Sequence, residues 1–452
     1  MPPALALAIC TVFVLYLLRL EQQLARNTSG VLWMPTVWML VIASKPLGTW
    51  FGSGGGEEGS PLDQYFLIAL ICLGVWTLTS RNFKWSRAMR ANPWVVLLIG
   101  YELASVLWSD IPFIAFKRWI RELIAVIMAF VVLTERDPVQ AMQSLFRRTI
   151  YILIPFSLVL IKYFPEYGIQ YRELGGQMWI GVTLQKNGLG RLCLVATFYL
   201  IWTLVRRWQK RDMQIAKYQT PADVSVLALA LFLLSGPGDQ YSATALTSVG
   251  AGLLTFASAS WMKRHGVAVG TNTLTFIMAL VIGLGILQPF LGGATVTGVA
   301  AGLGRDLTMT GRTEIWAGLV PAAMQQPIFG SGFGSFWTPT TREMHEIGEA
   351  HNGYLEVLLD LGFVGLAIIA MFLLSSCRRA QSALRHNFDW GCLWLCFLLM
   401  TLIHNITESS INSFTSHLMS ILLFLAISST ARVRKANTWT RKINLKPGRN
   451  AG

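Results

Sequence analysis

Charged residues are scarce in this 452-residue sequence, 13% of the total, where soluble domains carry roughly 25%. Long polar stretches are missing as well, so no segment supplies a soluble domain with a core of its own. The six cysteines stand in or beside apolar runs and form no CxxC pair. That argues against a metal or redox role and for small buried packing residues. Gly54 to Gly56 is followed by two glutamates, not by a helix with Lys-Ser/Thr, which excludes a P-loop. No internal repeat is apparent, which weighs against transporter folds built from duplicated halves.

What fills the chain is apolar sequence, 53% of it. A spanning helix needs about 20 mostly apolar residues. Such segments are expected near 3–20, 31–50, 64–79, 93–108, 119–134, 149–163, 188–205, 222–235, 242–261, 273–291, 352–375, 389–406 and 415–430. Segment 31–50 contains Pro35 and Pro46, so it either spans or re-enters. The first run, Pro3 to Leu20, lacks a basic leader and a small-residue cleavage site and is expected to be a retained helix. The expected fold is all-α: a polytopic integral membrane protein of about 12–13 transmembrane helices, with residues 1–452 as a single transmembrane domain.

The net charge of +14 does not point to nucleic acid, because the Lys and Arg residues sit in short loops between apolar runs and in the tail. That is the pattern of the positive-inside rule. Arg81, Lys84, Arg87 and Arg90 form one basic loop; Arg206, Arg207, Lys210 and Arg211 a second; Lys263 and Arg264 a third; Arg378, Arg379 and Arg385 a fourth. With the basic tail 431–452, these are expected in the cytoplasm. The alternate loops carry Glu57, Glu58 and Asp63, then segment 164–187, Asp239, the long loop 292–351 and Glu408, and are expected outside.

Polar residues at membrane depth are costly and tend to be functional, and four groups collect on the expected outer side. The loop 292–351 is long enough to suggest function. It holds Gly311-Arg312-Thr313, where Thr313 could cap a short surface helix with Ile315, Leu319 and Ala322 on one face. Its glycines 330, 332 and 334 either offer N–H groups to a phosphate or form a plain turn. A second group is His351-Asn352, followed by Glu356 and Asp360 on the same helix face as Asn352. His351 can be neutral near pH 7, as a general base requires. The third group is the aromatic segment 164–187 with Arg172, Lys186 and Asn187. The fourth is Trp108-Ser-Asp-Ile-Pro112, followed by Lys117, Arg118 and Arg121. There either a negative partner or an ion pair with Glu122 or another carboxylate explains cations that the helix dipole disfavours.

With these residues the sequence resembles the O-antigen ligase and polysaccharide polymerase family. The motifs are Gly311-Arg312-Thr313 with Trp316, Pro327 to Gly334, His351 to Glu356, and Gly362 to Gly365. Trp108-Ser109 with Pro112, Lys186-Asn187 and Thr407-Glu408-Ser409 also look like family landmarks. The pattern is most similar to the exopolysaccharide-polymerase branch, the ExoQ-like proteins. The resemblance implies a bacterial inner-membrane protein, multi-pass with a cytoplasmic C-terminus. It would transfer a glycan from an undecaprenyl-diphosphate-linked oligosaccharide to a sugar hydroxyl on the periplasmic side, with 292–351 as the large periplasmic loop. No metal and no other cofactor is implied, and the sequence has no Asp-x-Asp pair. A polysaccharide co-polymerase or export protein is the partner implied, beside the lipid bilayer.

On that resemblance His351 is the expected catalytic base, and Arg312, Lys186 and Arg172 the expected diphosphate ligands. Asn352, Glu356, Asn187 and Glu408 are expected to bind sugar or orient the base. Two alternatives stand beside polymerisation of repeat units: an O-antigen ligase acting on lipid A core, and a transporter or flippase of lipid-linked glycan. A transporter would place its ionisable residues nearer the bilayer midplane.

Overall fold

The computed structural model describes residues 1–25, 27–52, 59–171, 176–210, 213–238, 241–267, 270–292 and 311–428. Arg172, the first part of the long loop and the tail 431–452 lie outside them. Apart from a two-stranded antiparallel hairpin pairing Ile169–Tyr171 with Gln177–Trp179, the described secondary structure is helical, in agreement with an all-α membrane fold.

The helices are α1 (Pro3–Leu24), α2 (Trp33–Ile42), α3 (Leu47–Trp50), α4 (Pro61–Ser80), α5 (Trp85–Ala91) and α6 (Pro93–Ser105). Then come α7 (Pro112–Leu133), α8 (Pro138–Tyr163), α9 (Pro165–Gly168), α10 (Lys186–Lys210), α11 (Met213–Ser235), α12 (Ala243–Arg264) and α13 (Thr271–Leu287). The last five are α14 (Arg312–Ala323), α15 (Pro339–His345), α16 (Gly353–His386), α17 (Phe388–His404) and α18 (His417–Ser428). The starts are written in local chemistry. Prolines 61, 93, 112 and 138 each stand in a first turn, where a missing N–H costs little. Ser60 caps α4 through Asp63 N (3.2 Å), and Asp137 caps α8 through Val139 N (3.1 Å).

Among the described residues, seven helices are long and apolar enough to cross a membrane, or eight if α5 and α6, bent by 97°, count as one span. They agree with the expected polytopic all-α membrane protein. Most of the remaining segments are helical but short: Gly30–Ile42, Asn272–Leu287, Phe388–His404 and His417–Ser428 each have 10–17 residues. Helix α7 is long enough, but its first half carries Lys117, Arg118, Arg121 and Glu122. Segment 31–50 is broken at Ala43 to Pro46, and its main helix of about 20 Å falls short of the roughly 30 Å hydrocarbon core.

Burial separates centre from periphery. In α8 and α10, 78% and 72% of the apolar window is buried, against 17% in α4 and 22% in α12. The peripheral helices expose apolar rows, such as Ile9, Val12 and Leu15 on α1 and Tyr65, Ile68 and Trp76 on α4, suited to lipid contact. The buried centre, with α17 and α18 beside α10 and α16 packed on α17, carries the polar cluster described next.

Candidate functional site

The first turn of α16 is the anchor. Asn352 caps it, accepting from Leu355 N (2.9 Å), while its amide donates to Ile406 O (3.0 Å) and Gly285 O (3.3 Å). Gly353 N donates to Asn405 O at 2.9 Å. These bonds tie the helix start to the end of α17. One turn on, Glu356 accepts from Ala350 N (2.8 Å) and from the Trp337 indole (2.5 Å), and the Trp316 indole donates to Ala350 O (2.9 Å). Between the fixed Ala350 and the fixed Asn352 stands His351, with a φ of +49°. A non-glycine residue in the left-handed region is strained, and such strain persists only where the surroundings impose it.

Glu408, buried in the turn after α17, is the hub. One carboxylate oxygen accepts from the Arg312 guanidinium and from the Asn187 amide, the latter at 2.7 Å. The other lies 3.9 Å from Nδ1 of His351, which is itself 3.3 Å from Glu349. Nε2 of His351 is thus left for a substrate proton if Nδ1 carries the hydrogen. Burial alone would push the Glu408 carboxyl up, but His351 and the Arg312 charge outweigh it, and the group sits below its ordinary value. Four expected site residues, His351, Arg312, Asn187 and Glu408, therefore meet, while Asn352 and Glu356 hold the backbone around His351.

Glu349, His351 and Glu408 bring ligand atoms within 4.8 Å of one another, close enough to hold a cation. The donor set suits one poorly, because Glu408 is already neutralised by Arg312, whose guanidinium would repel a divalent ion.

Two expectations change at the long loop. Thr313 does not cap α14; Gly311, at φ +82°, precedes the helix with no side-chain cap. The inward face is Trp316, Leu319 and Ala323, not Ile315, Leu319 and Ala322, and it packs on α16. The glycine-rich segment proves to be a turn. Asp360 accepts from Ser335 N and Phe336 N (both 3.1 Å), and Gly332 N donates to Asp360 O (2.8 Å). The turn seats on a break in α16 at Gly362, φ +63°, where Phe363 N donates to Pro327 O (2.8 Å). Ser105 and Ser109 bind the same turn through Phe333 N (2.9 Å) and Ser335 Oγ (2.7 Å), and Arg118 donates to Gly334 O. Glu122, weighed from the sequence as an ion-pair partner for these cations, is buried. It accepts from Ser413 Oγ and Phe414 N, both at 2.5 Å.

A cavity of about 610 Å³ opens beside the cluster, reached by Glu349 and walled by the broken segment from Trp38 to Thr49. Arg191 and Arg121 line it, and Arg191 also donates to Ser409 O (3.4 Å), next to Glu408. Sequence reasoning missed Arg191. Its spacing of i+4 from Asn187 on α10, one face of a helix, was the available signal. Lys186 starts the same helix.

Much of this constellation lies within the part of the chain that a known family's model matches: the O-antigen ligase profile covers residues 180–370. That segment is similar to the O-antigen ligase family. His351, Arg312, Asn187 and Arg191 fall inside the O-antigen ligase match; Glu408, which joins three of them, falls beyond it. The exopolysaccharide production protein ExoQ of Rhizobium meliloti (strain 1021) is 22% identical over 299 residues, 63% of this chain and 64% of that protein. The chain thus spans just under two thirds of that relative's length. The apolar helices and these similarities agree with a multi-pass membrane protein.

Proposed function

We propose that this protein polymerises exopolysaccharide repeat units, transferring a glycan from an undecaprenyl diphosphate carrier to a sugar hydroxyl at the periplasmic face. The observation that supports this most is the meeting of His351, Glu408 and Arg312 beside a cavity large enough for part of a saccharide. The donor's anomeric carbon is already activated by its diphosphate. The enzyme has to remove a proton from the acceptor hydroxyl and stabilise charge gathering on the leaving group. His351 takes the proton; Glu408 and Glu349 orient the ring and stabilise the imidazolium. Arg312 binds diphosphate oxygens, with Arg191, Lys186 and Arg172 as further cations. The excess of basic residues in the opposite loops supports a periplasmic site.

The similarity to an exopolysaccharide production protein favours exopolysaccharide as the product; the family's description as O-antigen ligase leaves ligation as the second reading. Deleting the gene and analysing the accumulated glycan separates them. Single repeat units on the carrier support the polymerase, and long unligated chains support the ligase. A normal glycan profile in the deletion strain overturns both.

A further inference from the structure

A second polar cavity, of about 300 Å³, opens at the other end of the bundle between α1, α8 and α10. Lys186 and Asn187 begin α10 at the His351 end, and Arg206 and Arg207 lie about 20 residues, or roughly 30 Å, further along it.

Four guanidinium groups gather here. Arg148 Nε donates to Glu21 (2.8 Å), Arg207 Nη2 to Asp223 (2.8 Å) and Arg206 Nε to Asp389 (3.1 Å). Each of these three has a carboxylate of its own, and the pairs tie α1, α8, α10, α11 and α17 together. Arg147 is the surplus cation. Its side chain is 8% exposed, its Nε makes no hydrogen bond, and its ion pair with Asp223 is stretched to 3.8 Å. Asp223 is already committed to Arg207 and to the Tyr151 hydroxyl (2.6 Å), and Glu21 to Arg148 and the Ser144 hydroxyl. A structural ion-pair network explains three of the arginines. It leaves the fourth with only a shared, long contact to Asp223 and the face of the Tyr199 ring, 5.9 Å away, and four guanidiniums against three carboxylates leave one buried positive charge in excess, which is costly.

We propose that this cavity is an anion site for a single phosphate group, held by Arg147 with Arg206 and Arg207. The last two remain reachable, with side chains 22% and 11% exposed. Guanidinium forks match tetrahedral phosphate oxygens in pairs. Two sources carry that chemistry, an anionic phospholipid headgroup and free inorganic phosphate. The basic loop following Arg207 marks this end for the cytoplasmic leaflet, where anionic headgroups concentrate. The proposal does not depend on the reading of the His351 site.

The test uses the full-length protein in mixed micelles holding equal amounts of phosphatidylglycerol and phosphatidylethanolamine, with bound lipid counted by native mass spectrometry. A parallel arm follows the thermal midpoint in inorganic phosphate against chloride at equal ionic strength. Selective phosphatidylglycerol binding that phosphate does not displace identifies the headgroup as occupant. A raised midpoint with displacement of the lipid identifies the free anion. In Arg147→Met either response weakens at least about tenfold, the factor that about 1.4 kcal/mol represents, and Arg147→Lys recovers part of it. If Arg147→Met fails to fold, Arg147→Gln, which keeps a polar side chain, takes its place. Equal binding of both lipids with no phosphate response overturns the proposal, as does full selectivity in the Met or Gln variant.

Discussion

The carboxylate of Glu408 holds the Arg312 guanidinium on one oxygen and faces His351 Nδ1, 3.9 Å away, with the other. One buried anion thus joins the proposed base to the proposed diphosphate ligand. Glu408→Gln keeps the shape and removes the charge. Both residues should then be misplaced together, and polymer yield should fall by about 10²-fold or more, near the scale of losing the base itself. Yield within twofold of wild type, at equal membrane level, would show that the charge is not needed.

The same group makes stability depend on pH. Its carboxyl is held below the ordinary value of 4.5 in the folded protein, so its ionised form stabilises the fold above that pH. The stabilisation is lost as pH falls from there through the folded-state value. The gap in thermal midpoint between wild type and Glu408→Gln should therefore be constant above about pH 5 and shrink on acidification. A gap that widens toward low pH would contradict the assignment.

Replacing Arg312 by Lys keeps a positive charge but loses the planar fork that serves Glu408 and two phosphate oxygens together. Activity of Arg312→Lys should fall at least about tenfold, with Arg312→Ala lower still. Polymer length and yield in a complemented deletion strain give the comparison. Full activity with Lys would reduce the role to charge attraction.

Much of this was legible in the sequence, and the reason differs from part to part. Helix positions follow from runs of apolar residues, and twelve of the thirteen expected segments coincide with single long helices or short apolar ones. What hydropathy cannot see is that 31–50 breaks at Ala43 to Pro46 and walls a cavity. His351 and Arg312 were reachable through the resemblance. Their connection through Glu408 was not, since that contact joins positions 96 residues apart on three elements. Glycines 330, 332 and 334 advertised a phosphate cradle as strongly as a turn. Only the positions of Asp360 and Gly362 decide for the turn.

That turn yields a stability prediction. Gly330 has φ +66°, and an added Cβ would lie 2.5 Å from the Asp360 carbonyl carbon. Gly330→Ala should cost about 1–3 kcal/mol from the backbone strain alone and lower the thermal midpoint. An unchanged midpoint would mean that the turn does not grip α16 as described.

Metal removal separates two uses of Glu349, His351 and Glu408. With Arg312 neutralising Glu408, glycan elongation by purified protein should be unchanged in excess chelator. Loss of activity that a divalent ion restores would place a cation in that cluster.

The most direct measurement takes the purified protein in lipid vesicles and gives it polyprenyl-diphosphate-linked oligosaccharide with no lipid A present. Elongation of the carrier-linked glycan by wild type and its absence with His351→Ala is the predicted result. A wild-type protein that leaves the oligosaccharide unextended until lipid A core is added, or a His351→Ala variant that elongates normally, would contradict it.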